Sequence, residues 1–190
     1  MKKKVESLFA ACVVDLFKAH KVVLRRISAP LRLDQRDVSL SAGVLDVRTG
    51  RSGLGSAYAT GKLVLVSAFD LIAKTRPADR RAPRLSATSA ADWIYIRDWT
   101  RELANQLAGR LANALSASGA DLSHGVPRAF AADVGVRELL AIGEVQVHFA
   151  SDIHLVHAAV TLATLVTSLA NATPPGTRVA EGTVTMFDEE

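Results

Sequence analysis

The chain has 190 residues, of which 49% are hydrophobic and 22% charged, a composition that excludes an intrinsically disordered, collagen-like or disulfide-stapled protein. Its formal net charge of +4 suggests a nucleic-acid hypothesis. Apart from residues 2–4 and 76–84, however, the basic residues are scattered among acidic ones, and they form no ladder with aromatic residues. Cys12 is the only cysteine, which excludes an intrachain disulfide and favours a reducing cytoplasm. We therefore expect one domain, 1–190, that binds no nucleic acid.

The first third of the chain predicts one helix and three strands. Apolar residues recur at helical spacing from Val5 to Leu16, which indicates an amphipathic helix with Cys12 in its buried face. Residues 21–27 are rich in β-branched side chains and predict a strand. The apolar runs 38–47 and 55–66 flank a stretch rich in glycine and serine, so they predict a hairpin.

The middle of the chain predicts two helices separated by a basic loop. A short helix is expected over 68–74, and the loop insertion near 75–89 has almost no apolar content. A long helix follows from about 89 to 118, with Ser89 as its N-cap and Asp92 three residues further on supporting the capping pattern.

The last part of the chain predicts three more strands. These are 126–131 and the hairpin of 144–150 with 153–163, followed by a C-terminal extension near 166–190 that begins beyond the last strand. Because hairpins outnumber crossovers, we predict an α+β fold with a largely antiparallel six-stranded sheet packed against two main helices. No apolar stretch is long enough to cross a bilayer, so no membrane segment is expected.

The long helix carries an unusual polar row. Asp98, Glu102, Asn105 and Gly109 stand at i, i+4, i+7 and i+11, within roughly 60° of one another on the face opposite the apolar residues. A glycine inside a helix costs about 1 kcal/mol, which suggests that something approaches closely at Gly109. The alternative explanation is an ordinary solvated face, on which Asp98 and Glu102 pair with Arg101 or Arg97. In that case Gly109 would only relieve crowding against a neighbouring element.

The segment 98–109 fits the pattern D-x-x-x-E-x-x-N followed by Ala-Gly, and it resembles the motif helix of the CheC, CheX and FliY family of chemotaxis phosphatases. Three other features are similar to the CheX branch: an opening helix over 8–17, a glycine-rich hairpin over 53–66 and a Gly-Val-Pro segment at 125–127. The closing hairpin around 149–155 is a fourth similarity. A single copy of the motif resembles CheX rather than the pseudo-duplicated CheC, so the resemblance implies a CheX-like fold.

The resemblance implies a phosphatase of two-component signalling that hydrolyses the aspartyl phosphate of a CheY-like response regulator. Asn105 would orient the attacking water, and Glu102 would pair with the active-site lysine of the regulator. Phosphoryl transfer needs mainly positioning, and a neutral amide can align a water without repelling the phosphoryl group. Asp98, Arg101 and Gly109 are the expected partner-binding residues, and the role of Asp98 stays open between supporting the helix surface and contacting the regulator. The resemblance also implies a homodimer formed through sheet edges, no cofactor of its own, and Mg²⁺ on the regulator.

Two other functions are alternatives to this one. The first is a non-catalytic binding or dimerisation module of CheX-like fold that engages a receiver domain, which would result if the loop 75–89 or the extension 166–190 covered the motif. The second is a metal site formed by His148, His154 and His157. On strands, His148 and His154 share a parity and His157 faces the other way, so the three side chains are not expected to converge and no metal is expected.

Overall fold

The computed structural model describes residues 2–28, 39–51, 59–77, 87, 89–117, 120–131, 139, 143–152 and 154–161. The predicted C-terminal extension and all of the basic loop except its first three residues, residue 87 and Ser89 lie outside these ranges. Within them, three helices pack on one face of a seven-stranded sheet in which all strand pairs are antiparallel. The predicted α+β class is confirmed.

The elements follow one another in the predicted order. The helices are α1 (Lys2–Ala19), α2 (Phe69–Thr75) and α3 (Ala90–Ser116). The strands are β1 (Arg25–Ile27), β2 (Leu40–Arg51), β3 (Ala59–Ala68), β4 (Ala120–His124), β5 (Arg128–Ala131), β6 (Val145–Ala150) and β7 (Leu155–Val160). The strand order is β1-β6-β7-β3-β2-β4, and β5 pairs with β2 as well. None of the helices in the described ranges is long and apolar enough to cross a membrane.

Both predicted hairpins are confirmed, β2 with β3 and β6 with β7. The described residues contain one strand more than the six that were predicted. Strand β4 was missed because its sequence carries no apolar pattern. Backbone pairing with β2 holds this strand, together with the packing of the buried Ala120 and the half-buried Leu122 against the core. The predicted strand at 21–27 is shorter than expected, since Lys21 adopts a left-handed conformation with φ of 62° and pairing begins only at Arg25.

The sheet buries apolar side chains on both faces. The helices cover one face, where Phe9, Phe17, Phe69 and Phe149 are the largest fully enclosed side chains. The other face carries a second buried cluster, which consists of Leu40, Ala42, Val44, Val64, Val66, Ala68 and Ala159. Strand β3 is therefore buried without alternation from Leu63 to Ala68, as expected for a strand enclosed on two sides.

Helix α3 lies directly on strand β2. A β-carbon added to Gly43 would stand 2.7 Å from the β-carbon of Ala104 and 2.9 Å from the backbone oxygen of Thr100, so only glycine permits this approach. Next to this contact, the Thr100 hydroxyl donates to the Ile96 carbonyl at 2.7 Å and leaves its oxygen to accept from Ser41 at 2.8 Å. This buried pair and the close contact set the rotation of α3 on the sheet, and thereby which of its faces points outward.

Candidate functional site

The ends and the buried face of α3 agree with the sequence prediction. The Ser89 hydroxyl accepts from the backbone N–H of Asp92 at 3.3 Å, which caps the helix, and the helix ends at Ser116. Trp93 is half-buried, and its indole N–H donates to the Ala87 carbonyl at 2.7 Å. The fully buried positions are Ile96, Thr100, Leu103, Ala104, Leu107, Ala108, Leu111 and Leu115.

The opposite face of α3 presents the predicted polar row. Asp98 and Glu102 are exposed, and Asn105 and Gly109 are half-buried. The structure therefore places these four residues together on the side of the helix that faces away from the sheet. Within the described part of the chain, the Asn105 amide makes no hydrogen bond, so its donor and acceptor groups are both available.

Asp98 pairs with Arg101, as the simpler explanation of the row anticipated. The Arg101 guanidinium donates to the Asp98 carboxylate at 3.1 Å, with side chains 45% and 61% exposed respectively. An ion pair this exposed contributes well under about 1 kcal/mol to stability, so either side chain can exchange its partner at small cost.

Glu102 takes part in a hydrogen-bond chain that the sequence analysis did not predict. Its Oε1 accepts a hydrogen bond from the side-chain amide nitrogen of Gln106 at 2.8 Å, one helical turn further on. The Oε1 of Gln106 lies 3.1 Å from Nε2 of His20, at the end of α1. The i, i+4 spacing of Glu102 and Gln106 was visible in the sequence as a signal for this bond, but nothing there indicated His20.

Gly109 faces open space. A β-carbon added at this position would meet no atom within 4 Å, so the close approach suggested by the sequence does not come from the described part of the chain itself. Among the described residues, no neighbour packs against Gly109 in a way that would explain the conformational penalty of a glycine at this position.

Trp99 lies beside the row and ties three elements together. It is half-buried, and its indole N–H donates to the Thr75 hydroxyl at 2.8 Å, while that hydroxyl donates to the Ile72 carbonyl at 2.7 Å. The rings of Trp99 and His20 pack edge to face, with their centroids 5.5 Å apart. Trp99 therefore braces α3 against the ends of α1 and α2, and its own side chain does not cover the row.

Two exposed apolar side chains extend the row toward the start of α3. Ile94 is 55% exposed and Tyr95 57% exposed, one turn before Asp98. The Arg76 guanidinium stands over the Tyr95 ring, 5.6 Å from its centroid. Ile94 and Tyr95 were not among the predicted site residues, although their helical spacing from Asp98 puts them on the same face.

The prediction that His157 faces away from His148 is wrong. His148 and His157 are directly opposite each other in the register of the two strands, and their Nδ1 atoms are 3.1 Å apart. The parity argument failed because it counted residues through a turn, where the alternation of a strand does not hold. His154 lies in that turn, 3.5 Å from Asp70. The described ranges contain no group of three or more residues that could hold a metal ion.

Two buried titratable groups lie away from the row. Burial lowers the pKa of His157 to about 4, with a smaller contribution from the charge of His148. Burial also raises the pKa of the Cys12 thiol, as does Asp15 to a smaller extent. Cys12 is a buried core residue, as the helical spacing predicted.

Comparisons with known proteins identify the fold. No family model matches the sequence, and no curated protein does. The chemotaxis protein CheX of Vibrio vulnificus has a similar structure, with a TM-score of 0.57 and 13% identity over 84% of this chain and 98% of that one. A CheC-like superfamily protein of Shewanella sp. PV-4 gives a TM-score of 0.54 and 15% identity over 82% and 95% of the two chains.

A third similar structure is the complex of CheX with CheY, BeF₃ and Mg²⁺ from Borrelia burgdorferi, with a TM-score of 0.52 and 11% identity over 82% of this chain and 96% of that one. The described part of the chain thus has an α+β fold with three helices on an antiparallel sheet. More particularly, its fold is CheX-like, as the resemblance of the motif helix implied.

Proposed function

We propose that the protein hydrolyses the aspartyl phosphate of a CheY-like response regulator. The observation that carries the proposal is the placement of Glu102 and Asn105 side by side on the outward face of α3, in a CheX-like fold. A carboxylate and a neutral amide one turn apart suit a phosphorylated receiver site, which combines a lysine with an acyl phosphate.

The two residues would have different roles. Asn105 would enter the regulator site and hold a water in line with the phosphorus, with its amide both donating and accepting. The water oxygen would then form a bond to phosphorus while the bond from phosphorus to the aspartate oxygen breaks, leaving inorganic phosphate and a free aspartate. Glu102 would pair with the lysine of the regulator and fix the docked geometry. The magnesium ion would be held by the regulator.

The face around these residues supports docking. Ile94 and Tyr95 offer apolar area beside the charged pair of Asp98 and Arg101. The open space at Gly109 would allow the regulator to approach the helix closely. The similar B. burgdorferi structure is a complex of CheX with CheY, which supports a CheY-like partner for this fold. We include a homodimer in the proposal on the resemblance alone, and a cytoplasmic location because Cys12 is the only cysteine.

The experiment is the decay of phosphorylated receiver domains. A panel of CheY-like receivers from the same genome is phosphorylated with acetyl phosphate in the presence of Mg²⁺, and loss of the phosphoryl group is followed with and without the protein. We expect acceleration for at least one receiver, and a loss of about 10²–10³-fold for Asn105→Ala, the range seen when one positioned polar group is removed.

The same variant separates catalysis from folding. Because the Asn105 amide has no hydrogen bond within the described residues and alanine has the higher helix propensity, Asn105→Ala should be as stable as wild type or more stable by about 0.5 kcal/mol. Full activity in Asn105→Ala would refute the assigned mechanism. A wild-type protein that binds a receiver without accelerating its decay would instead be the non-catalytic binding module.

A further inference from the structure

We propose that Gln106 and His20 form a relay that positions the Glu102 carboxylate for the lysine of the regulator. The inference rests on the proposed function and deepens it, because it assigns two positioning residues to the same site. It starts from the two hydrogen bonds that join Glu102 to the end of α1.

The chemistry of the three side chains determines the direction of both hydrogen bonds. The Glu102 carboxylate can only accept, so the group 2.8 Å from it must be the amino group of Gln106. The carbonyl oxygen of Gln106 then faces Nε2 of His20 at 3.1 Å, and two acceptors cannot bond to each other. Nε2 of His20 must therefore carry a proton, in the Nε2–H tautomer or in the imidazolium form.

His20 is held firmly enough to act as an anchor. It closes α1 in a left-handed turn, in which Lys21 has a φ of 62° and the backbone N–H of Val22 donates to the Phe17 carbonyl at 3.0 Å. The ring of His20 also contacts Trp99 edge to face, with centroids 5.5 Å apart. The relay therefore connects an exposed carboxylate to the packed end of a helix.

The arrangement leaves one oxygen of the Glu102 carboxylate for the regulator. Oε1 is bonded to Gln106, and Oε2 makes no hydrogen bond within the described ranges. An exposed glutamate normally samples many rotamers and loses that freedom when it is bound. Restricting the side chain before docking lowers the entropy loss on association, so the relay should act on affinity rather than on the chemical step.

The test is Gln106→Met in the full chain, assayed on a receiver that the wild-type protein dephosphorylates. We expect KM to rise about fivefold with kcat unchanged, the effect of losing one ordinary solvent-exposed hydrogen bond. His20→Phe keeps a ring against Trp99 but lacks the donor, and should raise KM by a smaller factor. Gln146→Met is the matched control, because Gln146 lies on β6 with its side chain on the sheet face opposite α3.

A double-variant comparison separates a relay from a general structural effect. Affinity for the receiver loaded with BeF₃⁻ and Mg²⁺ is measured for Gln106→Met in the wild-type and in the Glu102→Ala background. If Gln106 acts through Glu102, its substitution weakens binding in the first background and has no effect in the second.

Nitrogen-15 spectroscopy of the His20 ring provides a readout that is independent of activity, and we expect Nε2 to be protonated. An unprotonated Nε2 would overturn the relay. An unchanged KM for Gln106→Met, on a receiver that the wild-type protein dephosphorylates, would overturn it as well. Equal losses in both backgrounds would show a structural role and also overturn it. Failure of the wild-type protein to accelerate the decay of any receiver would instead refute the proposed function, whatever the tautomer of His20.

Discussion

Replacing glycine by alanine should lower the free energy of unfolding at Gly43, on strand β2 beneath α3, and raise it at Gly109, on the outward face of α3. Gly43 lies under α3, where a new β-carbon would stand 2.7 Å from the β-carbon of Ala104 and 2.9 Å from the Thr100 carbonyl oxygen. Gly109 lies on the outward face of the same helix, where a new β-carbon would meet nothing within 4 Å.

The magnitude follows from these distances. Restoring a carbon–carbon contact of about 3.5 Å at Gly43 requires helix and strand to separate by up to roughly 0.8 Å. Overpacking of this kind costs about 1–3 kcal/mol, and we expect the upper end because one of the crowded atoms belongs to the backbone. Gly109→Ala should add about 1 kcal/mol through helix propensity alone. At this chain length, 1 kcal/mol shifts Tm by about 2–4 °C.

Urea unfolding followed by circular dichroism measures both changes in the free energy of unfolding. We expect Gly43→Ala to lower it by about 3 kcal/mol and Gly109→Ala to raise it by about 1 kcal/mol. A Gly43→Ala variant as stable as wild type would refute the close packing of α3 on β2. A destabilising Gly109→Ala would show that the outward face of α3 is covered in the free protein, which would also contradict an open docking surface.

Three further predictions concern the turn, the buried polar pair and the buried histidine. Lys21→Gly should stabilise the protein by up to about 1 kcal/mol in urea unfolding, because glycine adopts the left-handed conformation without strain; a loss of stability would contradict the turn. Thr100→Val should cost about 1–3 kcal/mol because it removes the acceptor of the Ser41 hydroxyl, and adding Ser41→Ala should recover part of the loss. The pKa of His157 is lowered from 6.5 to about 4, so the unfolded chain takes up the proton first as the pH falls. The free energy of unfolding should therefore drop by about 3 kcal/mol between pH 6.5 and pH 4. His157→Gln should lack this slope, and an unchanged slope would assign it to other groups.

The polar row could be predicted because it depends only on the period of a helix. Positions 98, 102, 105 and 109 lie on one face of any α-helix, and the apolar positions of the same segment lie on the other. The core face and the N-cap at Ser89 followed from the same local pattern. These features need no knowledge of the rest of the fold.

Three features could not be predicted because each depends on contacts between separate segments of the chain. Strand β4 has only one fully buried side chain and no apolar alternation, so its pairing with β2 could not be read from its own residues. The contact of His148 with His157 depends on the register of a hairpin, and a one-residue error in register moves a side chain to the other face. His20 reaches Gln106 across 86 residues of sequence, and no local pattern encodes such a distance.

The sequence by itself determined which residues share the outward face of α3, because helical periodicity is a local property of the chain. The tertiary structure decided what surrounds that face. The packing of Gly43 against Ala104 sets the rotation of the helix, and the turn after α1 brings His20 to the relay. These contacts join segments far apart in sequence, so they are decided by how the helices and the sheet pack and not by the pattern within any one element.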